Sequence, residues 1–145
     1  MNLSKNFTLE ELTATSSHLP NVPTPEQKEK LAELVTNVLQ PVREMFGKPI
    51  TVNSGFRSLA VNKDKGGALK PISQHCKGEA ADLDCEDNAK LFHLIKDHFV
   101  FDQMIWEGGN DVQPAWVHVS YKTQGNRSEC LRMKKVNGKS TYTRI

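Results

Sequence analysis

The sequence holds no run approaching the ~18–20 consecutive apolar residues that a bilayer crossing needs, so no membrane span is expected. It has no Cys-x-x-Cys pair. Its three cysteines, Cys76, Cys85 and Cys130, are too few and too scattered for a disulfide framework or a thiolate zinc knuckle, and are expected to be reduced thiols. It has no internal repeat and no low-complexity tract, which excludes solenoid and collagen-like architectures. The opening residues, MNLSKNFTLEEL, lack an apolar h-region, and synthesis in a cytoplasm without a secretory signal is expected. Neither sign of charge dominates, the formal net being +2.

What is present suits one globular domain over residues 1–145, 37% hydrophobic and 25% charged. The charge is unevenly placed. Residues 1–121 carry a net of −4 and residues 122–145 a net of +6, from Lys122, Arg127, Arg132, Lys134, Lys135, Lys139 and Arg144 against Glu129. Such a basic end either favours a polyanion or simply keeps a small domain soluble.

Thr8 with Glu11 reads as a capping box opening a short helix at Leu9. Thr24, Pro25 and Gln27 open a longer one, with apolar residues at Leu31, Leu34, Val35, Val38, Leu39, Val42, Met45 and Phe46. Pro41 is expected to kink this helix and Gly47 to end it. Strands are expected at 50–53, 80–85, 101–107 and 116–121, a second amphipathic helix at 86–99, and a helical turn near 58–64 within an otherwise irregular segment, 54–79. Asn137-Gly138 marks a hairpin joining 130–136 to 139–144. Helices, strands, helix, strands in this order predict an α+β fold, a mostly antiparallel sheet with helices on one face.

Strand alternation then sorts the polar residues. Ala81, Leu83 and Cys85, and likewise Val117, Val119 and Tyr121, make apolar backs, while Asp82 and His118 fall on polar fronts. His75 lies seven residues before Asp82, with Gly78 between them to turn the chain. Two imidazoles and a carboxylate make the donor set of a catalytic zinc with a vacant position. Spacing alone leaves these as ordinary histidines just as readily, and His18, His93 and His98 are expected to be surface or hydrogen-bonded residues.

The run Ser73-Gln74-His75-Cys76-Lys77-Gly78-Glu79-Ala80-Ala81-Asp82 matches the S-x-H-x-x-G-x-A-x-D signature of the zinc D-Ala-D-Ala carboxypeptidases and L-alanyl-D-glutamate endopeptidases, which act on peptidoglycan. Trp116-Val117-His118 resembles their second histidine motif, and Ser54-Gly55-Phe56-Arg57-Ser58 their upstream S-G-[YF]-R-S. The three motifs occur in family order, and the compact chain looks most like the phage-associated branch, which includes endolysins and virion-borne wall peptidases. The resemblance implies Zn2+ held by His75, Asp82 and His118, with Arg57 and Ser73 toward substrate, Arg57 holding a carboxylate or an oxyanion. Arg57 also has a plain alternative, tying the long loop to the sheet.

One departure matters. Many relatives carry an acidic residue three positions before the second histidine, where this chain has Ala115. Glu107, on the same strand face as Gln103, is the expected general base, with Asp111 and Asp84 next in line. The activity implied is hydrolysis of a stem-peptide amide bond involving a D-amino acid, by a monomer that takes peptidoglycan as partner and no nucleic acid. It would reach the wall after release from a host cytoplasm or on a virion. Loss of catalysis, leaving a zinc-bearing wall-attachment or virion module, is the alternative that Ala115 keeps open.

Overall fold

The computed structural model describes residues 1–145. The chain opens with α1 (Leu9–Thr13), whose Thr8–Glu11 capping box is formed in both directions. A second complete box, Thr24 with Gln27, starts α2 (Pro25–Leu34). One π-helical turn (Val35–Leu39) follows, and α3 (Gln40–Phe46) continues to Gly47, which is left-handed at φ 77°. The wide turn sits where Pro41 demands it. Proline has no N–H and its ring crowds the carbonyl four residues back, and a π turn absorbs both without breaking the helix. Val35, Val38 and Leu39 stay fully buried through it.

The rest of the fold is β1 (Thr51–Ser54), α4 (Leu59–Asp64), a 3-10 turn (Gln74–Lys77), β2 (Ala80–Asp84), α5 (Asn88–His98), β3 (Gln103–Glu107), β4 (Trp116–Ser120), β5 (Glu129–Val136) and β6 (Lys139–Arg144). The six strands form one sheet in the order β1-β2-β4-β3-β5-β6. Every pairing is antiparallel except β3 with β5. The α+β expectation therefore holds, with one parallel junction that no local signal announced. Residues 121–128 carry the chain from the end of β4 past β3 to its far side, so β5 starts beside the start of β3.

The back of the sheet carries Ala81, Leu83, Val117, Val119, Met104, Trp106 and Cys130, all in one apolar core with Leu31, Leu34, Val38, Val42, Leu91, Phe92 and Ile95 from the helices. Burying side chains of this size contributes about 1.5–3 kcal/mol each, and it orients the sheet with its polar front away from the helices. The three cysteines are free.

Candidate metal centre and its surroundings

Register brings the front-face residues into rows. Asp82 stands opposite His118, and His118 opposite Ile105. Glu107 stands opposite Trp116 on one side and Met133 on the other, and Met133 opposite Tyr142. The Asp82 and Glu107 rows are adjacent on one face.

His75 reaches this face from the 3-10 turn. Ser73 caps the turn, its hydroxyl accepting from the His75 N–H at 3.2 Å, and Gly78 ends it at φ 76°. A Cβ on Gly78 would lie 2.6 Å from the Gln27 carbonyl oxygen, so glycine is required both for the backbone angle and for the close approach of α2. The His75 ring is held from behind, its Nδ1 lying 2.7 Å from the Gly55 carbonyl. That contact makes Nδ1 a donor and turns Nε2 toward Asp82 Oδ1 at 3.4 Å, the nitrogen free to bind a metal. His118 Nδ1 faces the same oxygen at 3.2 Å, and its Nε2 lies 3.1 Å from Gln74 Oε1.

One ligand atom from each of His75, Asp82 and His118 falls within 4.8 Å of the others, a spacing a metal ion can bridge. The donor set fits zinc: two imidazole nitrogens and a carboxylate oxygen, with room for a further ligand. His75 is 2% and His118 7% exposed. Burial acts to raise the Asp82 pKa, but the charge of His75 and hydrogen bonds from both rings outweigh it and hold the carboxyl well below the ordinary range.

Glu107 is 8% exposed. Burial pushes its carboxyl up to about 7; His118 pulls it down, Asp82 adds to the rise, and Arg57 pulls it down. A carboxyl poised there is suited to taking and returning a proton near neutral pH. The 108–114 turn closes as a hairpin, with the Ala115 N–H donating to the Glu107 carbonyl at 2.9 Å. The other two acidic candidates are engaged elsewhere. Asp111 is bonded to Arg132 at 2.7 Å, and Asp84 accepts from Asn88 at 2.7 Å.

Arg57 has no carboxylate partner. One terminal nitrogen reaches the Ser73 hydroxyl at 3.4 Å, and its Nε is buried without a hydrogen bond. Its backbone N–H donates to the His75 carbonyl at 3.1 Å, so residue 57 also ties the two loops together. His18, His93 and His98 are exposed and away from the cluster.

Two contributors escaped the sequence reading. Gln74 lies in an unspecified position of the signature, and its contact with His118 depends on the turn geometry. Tyr142 sits across Met133 from Glu107; it is half exposed, and partial desolvation against the sheet, then the charges of Glu107 and Asp82, raise its phenol pKa. Nothing local in the hairpin sequence says that β6 ends beside the site.

Residues 5–120 match the family model described as Peptidase M15. An 80-residue stretch is 42% identical to the zinc D-Ala-D-Ala carboxypeptidase of Streptomyces albus G, covering 54% of this chain and 31% of that protein. The aligned stretch thus amounts to about a third of the relative's length.

Proposed function

The chain belongs to the peptidase M15 family, and from that premise we propose that it is a zinc peptidase that hydrolyses a stem-peptide amide bond of peptidoglycan involving a D-amino acid. The observation that carries this reading is the assembly on one sheet face of three ligand atoms within 4.8 Å, beside a buried carboxyl raised to about 7. The relative's name supplies the D-alanyl chemistry.

His75 Nε2, His118 Nδ1 and Asp82 Oδ1 would hold the ion. Zinc supplies Lewis acidity to this site, polarising a carbonyl and easing the ionisation of water. Glu107 takes the proton from the attacking water and returns it to the departing amine. The unpaired guanidinium of Arg57 forks onto a substrate carboxylate or the developing oxyanion, steadied by the Ser73 hydroxyl. The exposed basic hairpin suits an anionic wall, and a compact peptidase of this kind suits cell-wall lysis or penetration, including by a bacteriophage.

Ala115 favours the second reading, a wall-binding module without catalysis. Digestion of purified peptidoglycan by protein of measured zinc content, with mass analysis of the fragments, separates the two. Released fragments with a new amine at a D-residue bond support the peptidase. Zinc-loaded protein that binds wall and releases nothing overturns it.

A further inference from the structure

Asp102 precedes β3 and is fully buried, at 0% exposure. Arg127 forks onto it, Nε to Oδ1 at 3.0 Å and a terminal nitrogen to Oδ2 at 2.9 Å, and the Arg127 backbone N–H adds a third bond at 3.1 Å. Lys122 Nζ lies 3.8 Å away. Burial acts to raise the Asp102 pKa, but the bonds and charges of Arg127, with the charge of Lys122, prevail and lower it, so the group is an ionised carboxylate. An ionised carboxylate only accepts hydrogen bonds.

That single fact propagates. Gln74 lies 2.9 Å from Asp102 Oδ2, so its amide nitrogen must face Asp102. Its oxygen must then face His118 Nε2, at 3.1 Å. An amide oxygen also only accepts, so His118 keeps a proton on Nε2, and Nδ1 is the nitrogen whose lone pair is left for a metal. Nδ1 is the atom aimed at Asp82 Oδ1. His75 reaches the complementary arrangement through the Gly55 carbonyl, which holds a proton on Nδ1 and leaves Nε2 for the metal.

We propose that Arg127, Asp102 and Gln74 form a positioning relay that fixes the tautomer and ring orientation of His118, so that Nδ1 is presented to the metal. The relay assigns a task to Lys122 and Arg127, which lie beyond the residues 5–120 that define family membership. It rests on the zinc reading for its purpose, not for its geometry. Groups that orient a ligating histidine through its other nitrogen typically change metal affinity 10–100-fold when removed.

The test uses the full chain and two variants. Gln74→Leu breaks the link to His118 and leaves the Asp102–Arg127 fork intact. Arg127→Ala, at a half-exposed side chain, loosens the relay from its far end. Nitrogen-15 resonances of the histidine rings in metal-free protein report the tautomer, and chelator competition reports zinc affinity. The wild type is expected to show His118 protonated at Nε2, with or without a second proton on Nδ1 toward Asp82. Gln74→Leu should lose the fixed proton on His118 Nε2, shifting it toward Nδ1, and bind zinc ~10–100-fold more weakly, with the thermal midpoint of the metal-free chain little changed. Arg127→Ala should move both readouts the same way by less. A wild-type tautomer with zinc affinity within twofold in Gln74→Leu overturns the relay. If that variant does not fold, the same null result in Arg127→Ala overturns it. Wild-type protein that takes up no zinc overturns the metal reading, while the metal-free tautomers still decide the relay.

Discussion

The two ends of the sheet follow one alternation rule and reach opposite results. Toward β2 and β4, the front-face residues His118 and Glu107 are almost fully buried, and His75 comes over them from the 3-10 turn. In β6 every residue is exposed. Alternation placed polar groups on the front at both ends; cover decided what became of them. Where a turn folds over the face, polar side chains lose water and must be held by designated partners, because an unpartnered buried polar group costs about 1–3 kcal/mol. Held in that way, they acquire fixed lone pairs and displaced pKa values. Where nothing covers the sheet, Lys135 on the front and Lys134 and Lys139 on the back remain solvated charges with small energetic weight.

The contrast predicts a descending series of effects. His75→Ala or His118→Ala should take the protein from about one zinc per chain to none, read by metal analysis after dialysis, since two remaining protein donors are too few for a stable site. Full occupancy in both would break the comparison at its strongest point.

Glu107→Gln should keep zinc and fold while turnover of wall peptide falls by ~10²-fold or more. The wild-type rate should climb as the pH rises toward about 7, where the carboxyl ionises, and the Gln variant should lack that limb. Stability moves in the opposite direction. The folded metal-free chain keeps the Glu107 proton up to about 7, whereas the unfolded chain loses it near 4.5. Between those values the native state binds more protons, so its stability falls as pH rises, by about 2–3 kcal/mol once both are passed. Denaturant melts of metal-free protein at pH 5 and pH 8 should show wild type losing this amount and Glu107→Gln spared.

Arg57→Ala should lower kcat/KM about ten- to a hundredfold with zinc retained, the worth of one charged hydrogen-bonding group. Arg57→Lys should fall in between, because it keeps the charge and loses the planar fork. Equal rates in all three would leave residue 57 as a tie between loops.

At the hairpin end, changing Lys134 and Lys135 to Glu should alter folding stability by no more than ~0.5 kcal/mol. Binding to isolated wall should weaken and lose much of its salt sensitivity, since exposed charges are screened over ~10 Å at 0.1 M. Sedimentation of wall with bound protein at rising salt measures both.

Local rules carried the sequence reading far. Capping boxes at Thr8 and Thr24, the Gly47 stop and the Asn137-Gly138 hairpin are each written in a few adjacent residues, and all appear in the fold. Period two put Asp82, His118 and Glu107 on one face before any partner strand was known. What stayed hidden is non-local. Pro41 announced a disturbance of its helix, but not that a π turn rather than a kink would absorb it. The parallel pairing of β3 with β5 depends on a crossover with no turn signature, and it brings Tyr142 near Glu107 and Arg127 onto Asp102. Asp102 itself reads as an acid at the start of the expected strand 101–107, although β3 begins only at Gln103; its burial shows only once residues 122–129 wrap around it.

The Arg127–Asp102 ion pair also has a direction in time. A ribosome makes Asp102 25 residues before the guanidinium that neutralises it, and without that countercharge the carboxyl can be buried only by taking up a proton. Every residue of the metal cluster has already been made by then, since the last of them is His118. The nascent chain therefore carries the whole ligand set before the charge that steadies Asp102 at the centre of the sheet. Residues 122–127 thus supply the last charge that the centre of the sheet needs, after every metal-binding side chain has been made.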